Sequence, residues 1–268
     1  MERRRSPGAL EEYHDIDIFA HRAGTFGVMR AIAAPVTSPQ SPKDTIVMLQ
    51  DICVSGYLPR DLNILRAELK FPHRVRSRSF IVRFIPPNSV GAELGVYTGL
   101  FSSVLARQRK ISQVTFVDPW WAAFGKHYPD WGIYTDYGRV STRKAFEVAE
   151  RRIVRCGLPN RIVEVATSYE WLTSLSEGSL DWVYLDSTHS YDGTKRELEL
   201  LDPKIKRTGM IFGDDWQIDP NHPHHGVCIA VNEFLKTSNF ELIFCGERSQ
   251  WILRRSRGCK GRQLDNRS

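Results

Sequence analysis

The chain has 268 residues, of which 41% are hydrophobic and 25% charged, so it can bury the core of one globular domain with an extension. No apolar run reaches the roughly 18 residues that a membrane-spanning helix needs, so we expect no membrane span. The five cysteines lack Cys-x-x-Cys spacing, and no apolar segment follows the basic N-terminus. These features predict reduced thiols and a cytoplasmic location.

The net charge of +6 is concentrated at one end of the chain. The stretch from Arg254 onward contains six basic residues and one acidic residue. A solvated tail explains this composition most simply, and contact with RNA, a membrane surface or an acidic substrate is the alternative. A second basic patch, residues 73–78, precedes the first predicted strand and has the same interpretation.

The chain divides into two unequal parts. Residues 1–87 show no regular alternation of strands and helices, and we expect an extension that serves as a lid or in homo-oligomerisation. From residue 88, strands are predicted at 90–94, 113–117, 162–166, 180–185, 210–213, 240–245 and 250–253, and helices at 142–154, 169–175, 194–201 and 227–235. This pattern predicts an α/β fold with a seven-stranded, mostly parallel Rossmann-like sheet, its last strand antiparallel, and helices on both faces. The domain ends at residue 253, and the basic tail, 254–268, follows it.

A glycine-containing stretch follows the first predicted strand. Glu93 is followed by Gly95 and, four residues later, by Gly99, after which helical spacing begins. Glycine accepts positive φ and lets a backbone come close to a ligand. The first turn of a helix directs free N–H groups at whatever lies above it. The stretch therefore predicts a site for a nucleotide-like cofactor.

Polar side chains follow the other parallel strands. Asp118 ends the second strand, Ser168 lies after the third, and Asp186 ends the fourth. Ligands of open α/β sheets bind outside these carboxyl ends. An acid about 20 residues beyond the glycine turn can accept hydrogen bonds from both hydroxyls of a ribose. The alternative for Asp118 is a helix-capping or turn role.

Three carboxylates are expected at neighbouring strand ends: Asp186 after the fourth strand, and Asp214 and Asp215 after the fifth. Left bare they would repel one another, and a divalent cation such as Mg²⁺ relieves this repulsion. The alternative has no metal: Asp186 contacts the cofactor and Asp214 caps a loop.

Histidines lie near the same strand ends. His189, three residues after Asp186, is a candidate general base, and the alternative is a structural loop histidine. His222, His224 and His225 resemble a metal-binding group, but Pro223 breaks helical ligand spacing. We interpret them as a loop over the active site rather than a zinc site.

Together these motifs resemble the class I S-adenosylmethionine-dependent methyltransferases, over residues 88–253. Glu93-x-Gly95-x-x-x-Gly99 is similar to the first motif of that family, and Asp118 matches its ribose acid. The stretches 185–193 and 209–216 resemble a branch of small-molecule O-methyltransferases that includes antibiotic-sugar and rhamnosyl methyltransferases.

The resemblance implies roles for individual residues. Glu93, Gly95, Tyr97 and Gly99 would hold the methionine part of S-adenosylmethionine, Asp118 the ribose and Ser168 the adenine edge, with Asp186 beside the cofactor. Asp186, Asp214 and Asp215 would bind the metal, Mg²⁺, and His189 would act as base with Asp186 as its catalytic partner.

The expected function is transfer of a methyl group to a hydroxyl of a small molecule, a sugar, glycoside or phenol, with help from the divalent metal. One alternative is a metal-independent methyltransferase that reaches nucleic acid through the basic tail, although no Asn/Asp-Pro-Pro-Tyr/Phe signature is present and we do not expect a nucleic-acid partner. A nicotinamide dehydrogenase is disfavoured by the glycine spacing. A cofactor-binding module without catalysis is the non-enzymatic alternative.

Overall fold

The computed structural model describes residues 55–70 and 74–256. The predicted extension before residue 55, and the basic tail beyond residue 256, lie outside the described residues. Within the described ranges, no helix has the length and apolar character needed to cross a membrane.

Seven strands form a single sheet in the order β3-β2-β1-β4-β5-β7-β6. Their bounds are Ser89–Leu94 (β1), Ile111–Asp118 (β2), Arg161–Val165 (β3), Leu180–Leu185 (β4), Ile205–Gly213 (β5), Phe240–Cys245 (β6) and Trp251–Arg255 (β7). β7 runs antiparallel to both of its neighbours, and the remaining pairs are parallel. The predicted seven-stranded sheet with an antiparallel last strand is confirmed. The strand order reverses between β1 and β4, which is where sheets of this type open a ligand crevice.

The helices lie where amphipathic patterns meet capping residues. Their bounds are Leu62–Leu69 (α1), Arg74–Ser79 (α2), Ser102–Ala106 (α3), Trp121–Phe124 (α4), Thr142–Val154 (α5), Ser168–Ser174 (α6), Tyr191–Lys204 (α7) and His225–Thr237 (α8), with 3₁₀ turns at Phe80–Arg83, Gly132–Thr135 and Glu247–Ser249. α5 has the predicted bounds. α6 begins one residue earlier than predicted because Thr167 and Glu170 form a capping box.

Alternating strand residues supply a core on each face of the sheet. In β4, Trp182 and Tyr184 pack on one face, and Val183 and Leu185 pack on the other. The first face is covered by α3 and α5, and the second by α7 and α8, as the buried residues of these helices show. This period of two, repeated in parallel strands that are buried on both faces, fixes which end of the sheet presents polar residues.

The described part of the predicted extension packs on the same core. Ile64 of α1, and Ile81 and Ile85 beyond α2, are fully or almost fully buried in the cluster that covers the first face. Arg152 of α5 pairs with Glu68 of α1 at 2.6 Å, and both side chains are 0% exposed. Arg152 also donates to the carbonyl of Thr98 at 2.9 Å, which ties α1 to the segment after β1.

Candidate active site

The segment of residues 93–99, called the glycine turn here, leaves β1 at the reversal of strand order. Gly95 has φ of +90°, and a Cβ at this position would lie 1.9 Å from the carbonyl oxygen of Asp186. Gly99 has φ of +75°, and its Cβ would lie 2.8 Å from Cα of Ala149 in α5. Both glycines are therefore needed for backbone packing. The sequence analysis attributed Gly95 to close ligand approach, but its nearest neighbour is the end of β4.

Asp118 shapes the glycine turn from the end of β2. Its Oδ2 accepts the N–H groups of Val96 at 2.9 Å and Tyr97 at 2.8 Å, and its Oδ1 accepts that of Trp120 at 2.9 Å. Tyr97 has φ of +55°, a left-handed conformation that two adjacent N–H donors to one oxygen help to hold. Burial raises the pKa of Asp118, and these hydrogen bonds oppose the shift. The structure thus shows the turn role, and the ribose role stays a prediction.

Glu93 is the buried acid of the glycine turn. It is 2% exposed, and its Oε2 has no hydrogen-bond partner among residues 55–70 and 74–256. Burial raises the pKa of Glu93 to about 8, against the opposing effect of the Ser102 hydroxyl. A buried carboxyl with a free oxygen is costly unless a donor or cation meets it, so this position fits a cationic ligand group.

The second part of the site is a set of five side chains that we call the acid–histidine cluster: Asp186, His189, Asp214, Asp215 and His224. The four predicted members are brought together as expected, and His224 joins them. His189, Asp186, Asp214 and Asp215 line one small pocket with Trp251.

Arg78 of α2 inserts into this cluster. Its guanidinium contacts Asp186 Oδ2 at 2.9 Å and also pairs with Oδ2 of Asp214, and only 16% of its side chain is exposed. Arg74, one turn earlier, lies 4.3 Å above the ring of Tyr134. The interpretation of residues 73–78 as a solvated patch is therefore wrong for these two arginines, because buried carboxylates and aromatic faces attract them out of water.

Adjacent carboxylates point in different directions because Asp215 adopts φ of +61°. Asp214 is directed towards Arg78, whereas Asp215 Oδ2 lies 3.2 Å from His189 Nε2 and its Oδ1 lies 3.0 Å from His224 Nδ1. His189 Nε2 is also 3.6 Å from Asp186 Oδ1. His189 is thus held between two carboxylates.

These contacts shift the ionisation of the cluster. For His189, burial acts to lower the pKa, but the hydrogen bond to Asp186 and the charge of Asp215 raise it to about 9. For Asp215, burial acts to raise the pKa, but the hydrogen bond from His224 and the charge of His189 lower it to about 2. His189 is therefore an imidazolium at neutral pH in this arrangement.

The three carboxylates predicted to hold Mg²⁺ do not fit that ion as they are arranged. Arg78 bonds to two of them, and Asp215 faces two histidines. The ligand atoms of His189, Asp215 and His224 all lie within 4.8 Å of one another, but two nitrogens and one oxygen are not the all-oxygen set that Mg²⁺ prefers.

Ser168 takes part in a different network from the predicted one. Its hydroxyl and that of Ser187 both donate to Oε1 of Glu197, and Thr188 donates to Oε2 at 2.9 Å. The sequence analysis missed Glu197, which is 0% exposed. Its position beside Leu198 on the buried stripe of α7 was the available signal, because an acid on a buried face needs partners.

Aromatic side chains, also missed, cover the glycine turn. The hydroxyl of Tyr97 donates to the carbonyl of Tyr134 at 2.9 Å, and their rings stack with centroids 4.9 Å apart. Tyr128 packs edge-on against Tyr97 at 5.1 Å. These rings form an apolar wall next to Glu93 and Asp118.

Residues 92–216, from β1 to the loop after β5, match the sequence profile of a methyltransferase domain. This part of the chain is a methyltransferase domain. Together with the sheet order, the match confirms the resemblance to class I S-adenosylmethionine-dependent methyltransferases.

Solved structures share the methyltransferase domain's fold at low sequence identity. A protein from Corynebacterium glutamicum is 10% identical with a TM-score of 0.52, over 83% of this chain and 94% of that one. A methyltransferase from Geobacter sulfurreducens is 15% identical with a TM-score of 0.46, over 81% and 90%. A SAM-dependent methyltransferase from Aquifex aeolicus is 15% identical with a TM-score of 0.46, over 74% and 97%. No curated protein sequence matches the chain significantly.

Proposed function

We propose that this methyltransferase domain moves the methyl group of S-adenosylmethionine to a hydroxyl oxygen of a small molecule, a sugar, glycoside or phenol. The observation that carries the proposal is His189, held between Asp186 and Asp215 at the sheet edge next to the glycine turn. In the transfer, the hydroxyl oxygen bonds to the methyl carbon, the carbon–sulfur bond breaks towards sulfur, and the hydroxyl proton passes to His189. The sulfonium supplies the reactive methyl, so the protein's task is alignment and proton removal.

The glycine turn is the proposed cofactor site. The free Oε2 of Glu93 would meet the ammonium of the methionine part, with Gly95, Tyr97 and Gly99 forming the backbone around it. Asp118 already accepts three backbone N–H groups, but a carboxylate offers about four lone-pair sites, so Oδ1 can still accept from a ribose hydroxyl. Ser168 and the Asp186 peptide remain proposed contacts for the adenine edge and the sulfonium side.

His189 must lose its proton before it can accept another. With its pKa raised to about 9, the neutral imidazole is a minor species at neutral pH, and its share rises with pH. Asp186 and Asp215 hold the ring in place and stabilise the imidazolium that forms when the acceptor hydroxyl is deprotonated. Magnesium assistance is not part of the proposal, because Arg78 already pairs with Asp186 and Asp214.

The alternative acceptor is nucleic acid, reached through the basic tail. The two tail arginines that the structure describes are paired within the fold: Arg254 with Glu241 at 2.7 Å and Arg255 with Asp202 at 2.9 Å. These two charges are therefore neutralised by their own domain, which favours the small-molecule acceptor. Homo-oligomerisation through the extension stays a prediction.

The test is a transfer screen with the full chain, labelled S-adenosylmethionine, and a panel of sugars, glycosides, phenols and structured RNA. We expect a methylated oxygen on a small molecule, located by mass spectrometry, and its loss in His189→Ala. His127→Ala is the matched control, because His127 is exposed and lies outside the acid–histidine cluster. Label that enters only RNA would contradict the proposal.

A further inference from the structure

We propose that Arg78 is a built-in cation of the active site, whose guanidinium takes the position between Asp186 and Asp214 that a divalent ion would otherwise occupy. The methyl transfer then needs no metal. The second statement rests on the proposed function, whereas the first concerns ion binding alone.

The geometry suits a guanidinium. Asp186 follows β4 and Asp214 follows β5, and these strands are adjacent in the sheet. The planar fork of Arg78 reaches one carboxylate with each terminal nitrogen, at 2.9 Å for Asp186. Arginine is the side chain best matched to such two-point recognition of carboxylates, and it keeps its charge when buried.

The other oxygens of these two carboxylates already face protein donors. Oδ1 of Asp214 accepts from the Gln250 side chain and from the Asp215 N–H, the latter at 2.9 Å. Oδ1 of Asp186 faces His189. Each of the two acids is only 10% exposed. Among the described residues, the donors around Asp186 and Asp214 are complete without an ion.

Removing the guanidinium reverses this balance. Two nearly buried carboxylates on adjacent strand ends would then lack a counter-charge, and with Asp215 nearby they would form the oxygen-rich cavity that Mg²⁺ and Mn²⁺ prefer. Loss of Arg78 should therefore create a divalent-ion site that the natural protein does not have.

Arg78 also acts on the reaction through another residue. It fixes Asp186 Oδ2, and the opposite oxygen of that carboxylate faces Nε2 of His189. Arg78 is therefore a positioning residue: it orients the carboxylate that orients the base. A small cation placed between the same carboxylates should restore part of that orientation.

The binding experiment uses the full chain stripped with a chelator and titrated with Mn²⁺, with the free ion followed by electron paramagnetic resonance. We expect the natural protein and Arg76→Ala to leave Mn²⁺ free, and Arg78→Ala to bind one ion per chain. Arg76 lies on the same short helix with an exposed side chain, so it is the matched control. Asp214→Asn added to Arg78→Ala should abolish the binding. Mn²⁺ that binds the natural protein and is released by Asp186→Asn overturns the proposal, whatever the folding of the Arg78 variants.

The activity experiment separates this proposal from the proposed function, because Mn²⁺ binding requires neither cofactor nor acceptor. With a methyl acceptor in hand, transfer by the natural protein should be unchanged by chelator. Arg78→Ala should lose about a hundredfold in rate, as expected for a misplaced catalytic group, and regain part of it with Mn²⁺. Arg78→Gln provides a second variant of similar length. Loss of natural activity with chelator, or an Arg78→Ala enzyme as active as Arg76→Ala, would refute the cation role.

Discussion

The glycine turn and the acid–histidine cluster lie at the ends of adjacent strands but are held by different interactions. In the glycine turn, backbone N–H groups satisfy Asp118, and the partners are within about one strand–helix unit of each other in sequence. In the acid–histidine cluster, side chains satisfy side chains, and Arg78 comes from a helix that precedes the whole sheet. A local site is set by turn chemistry, whereas a long-range site is set by which charge the fold delivers.

The largest effect is expected at Gly95. Gly95→Ala places a Cβ against the Asp186 carbonyl at a positive φ, so we expect a loss of about 3 kcal/mol or more in the free energy of unfolding, measured with urea. Gly125→Ala is the control, because Gly125 also has positive φ but nothing lies within 4 Å of its Cβ position. Equal losses in the two variants would show that close approach between β1 and β4 does not matter.

A smaller loss is expected at Asp118. In Asp118→Asn, one acceptor oxygen becomes an amide donor, and at least one of the three backbone N–H groups loses its partner. We expect about 1–3 kcal/mol of destabilisation by chemical denaturation, and weaker S-adenosylhomocysteine binding by calorimetry. Asp192→Asn, at an exposed position, should change little. Unaltered stability and binding in Asp118→Asn would mean that the turn holds its shape without this carboxylate.

The acid–histidine cluster predicts a pH profile. Because the pKa of His189 is raised to about 9, only its neutral form can accept the hydroxyl proton, and kcat/KM should rise with pH up to about 9. Asp215→Asn removes one of the charges that raise this pKa, so the rising limb should move to lower pH. A flat profile between pH 6 and 9, set up around the pKa values cited for histidine, would exclude His189 as the base.

The glycine turn predicts a modest dependence of stability on pH. Glu93 has a pKa of about 8 in the folded chain against an ordinary 4.5, so the folded state binds the proton more tightly than the unfolded state. The free energy of unfolding should therefore be highest below pH 4.5 as far as this group is concerned, and should fall as pH rises towards about 8, by at most about 1.4 kcal/mol per pH unit. Glu93→Gln should flatten this slope relative to the natural protein. An unchanged slope would assign the pH dependence to other groups.

Local patterns were sufficient to predict much of the fold. All seven strands, the bounds of α5 and the meeting of Asp186, Asp214 and Asp215 follow from apolar periodicity and from the rule that parallel strands end at one edge. The ends of β5 were harder, since Ile205 pairs with Leu180 across an irregularity in register that leaves no pattern in the sequence.

The partners of the acids could not be predicted in the same way. Arg78 lies on a six-residue helix with no apolar periodicity, and its contacts span more than a hundred residues of sequence. His224 was set aside because Pro223 breaks helical spacing, but a loop can bring His224 to Asp215 without such spacing. The left-handed backbone of Asp215, which separates it from Asp214, has no sequence signature either.

The pairing of Arg152 with Glu68 bears on where the smallest independently folding unit begins. A truncated chain starting at residue 88, the expected edge of the domain, would keep Arg152 at the centre of α5 and discard the carboxylate that neutralises it. Stranding that charge costs about 3–5 kcal/mol, comparable to the whole stability margin of many domains. The segment before the sheet is therefore part of the domain's hydrophobic and electrostatic interior, and the catalytic unit starts upstream of Glu68.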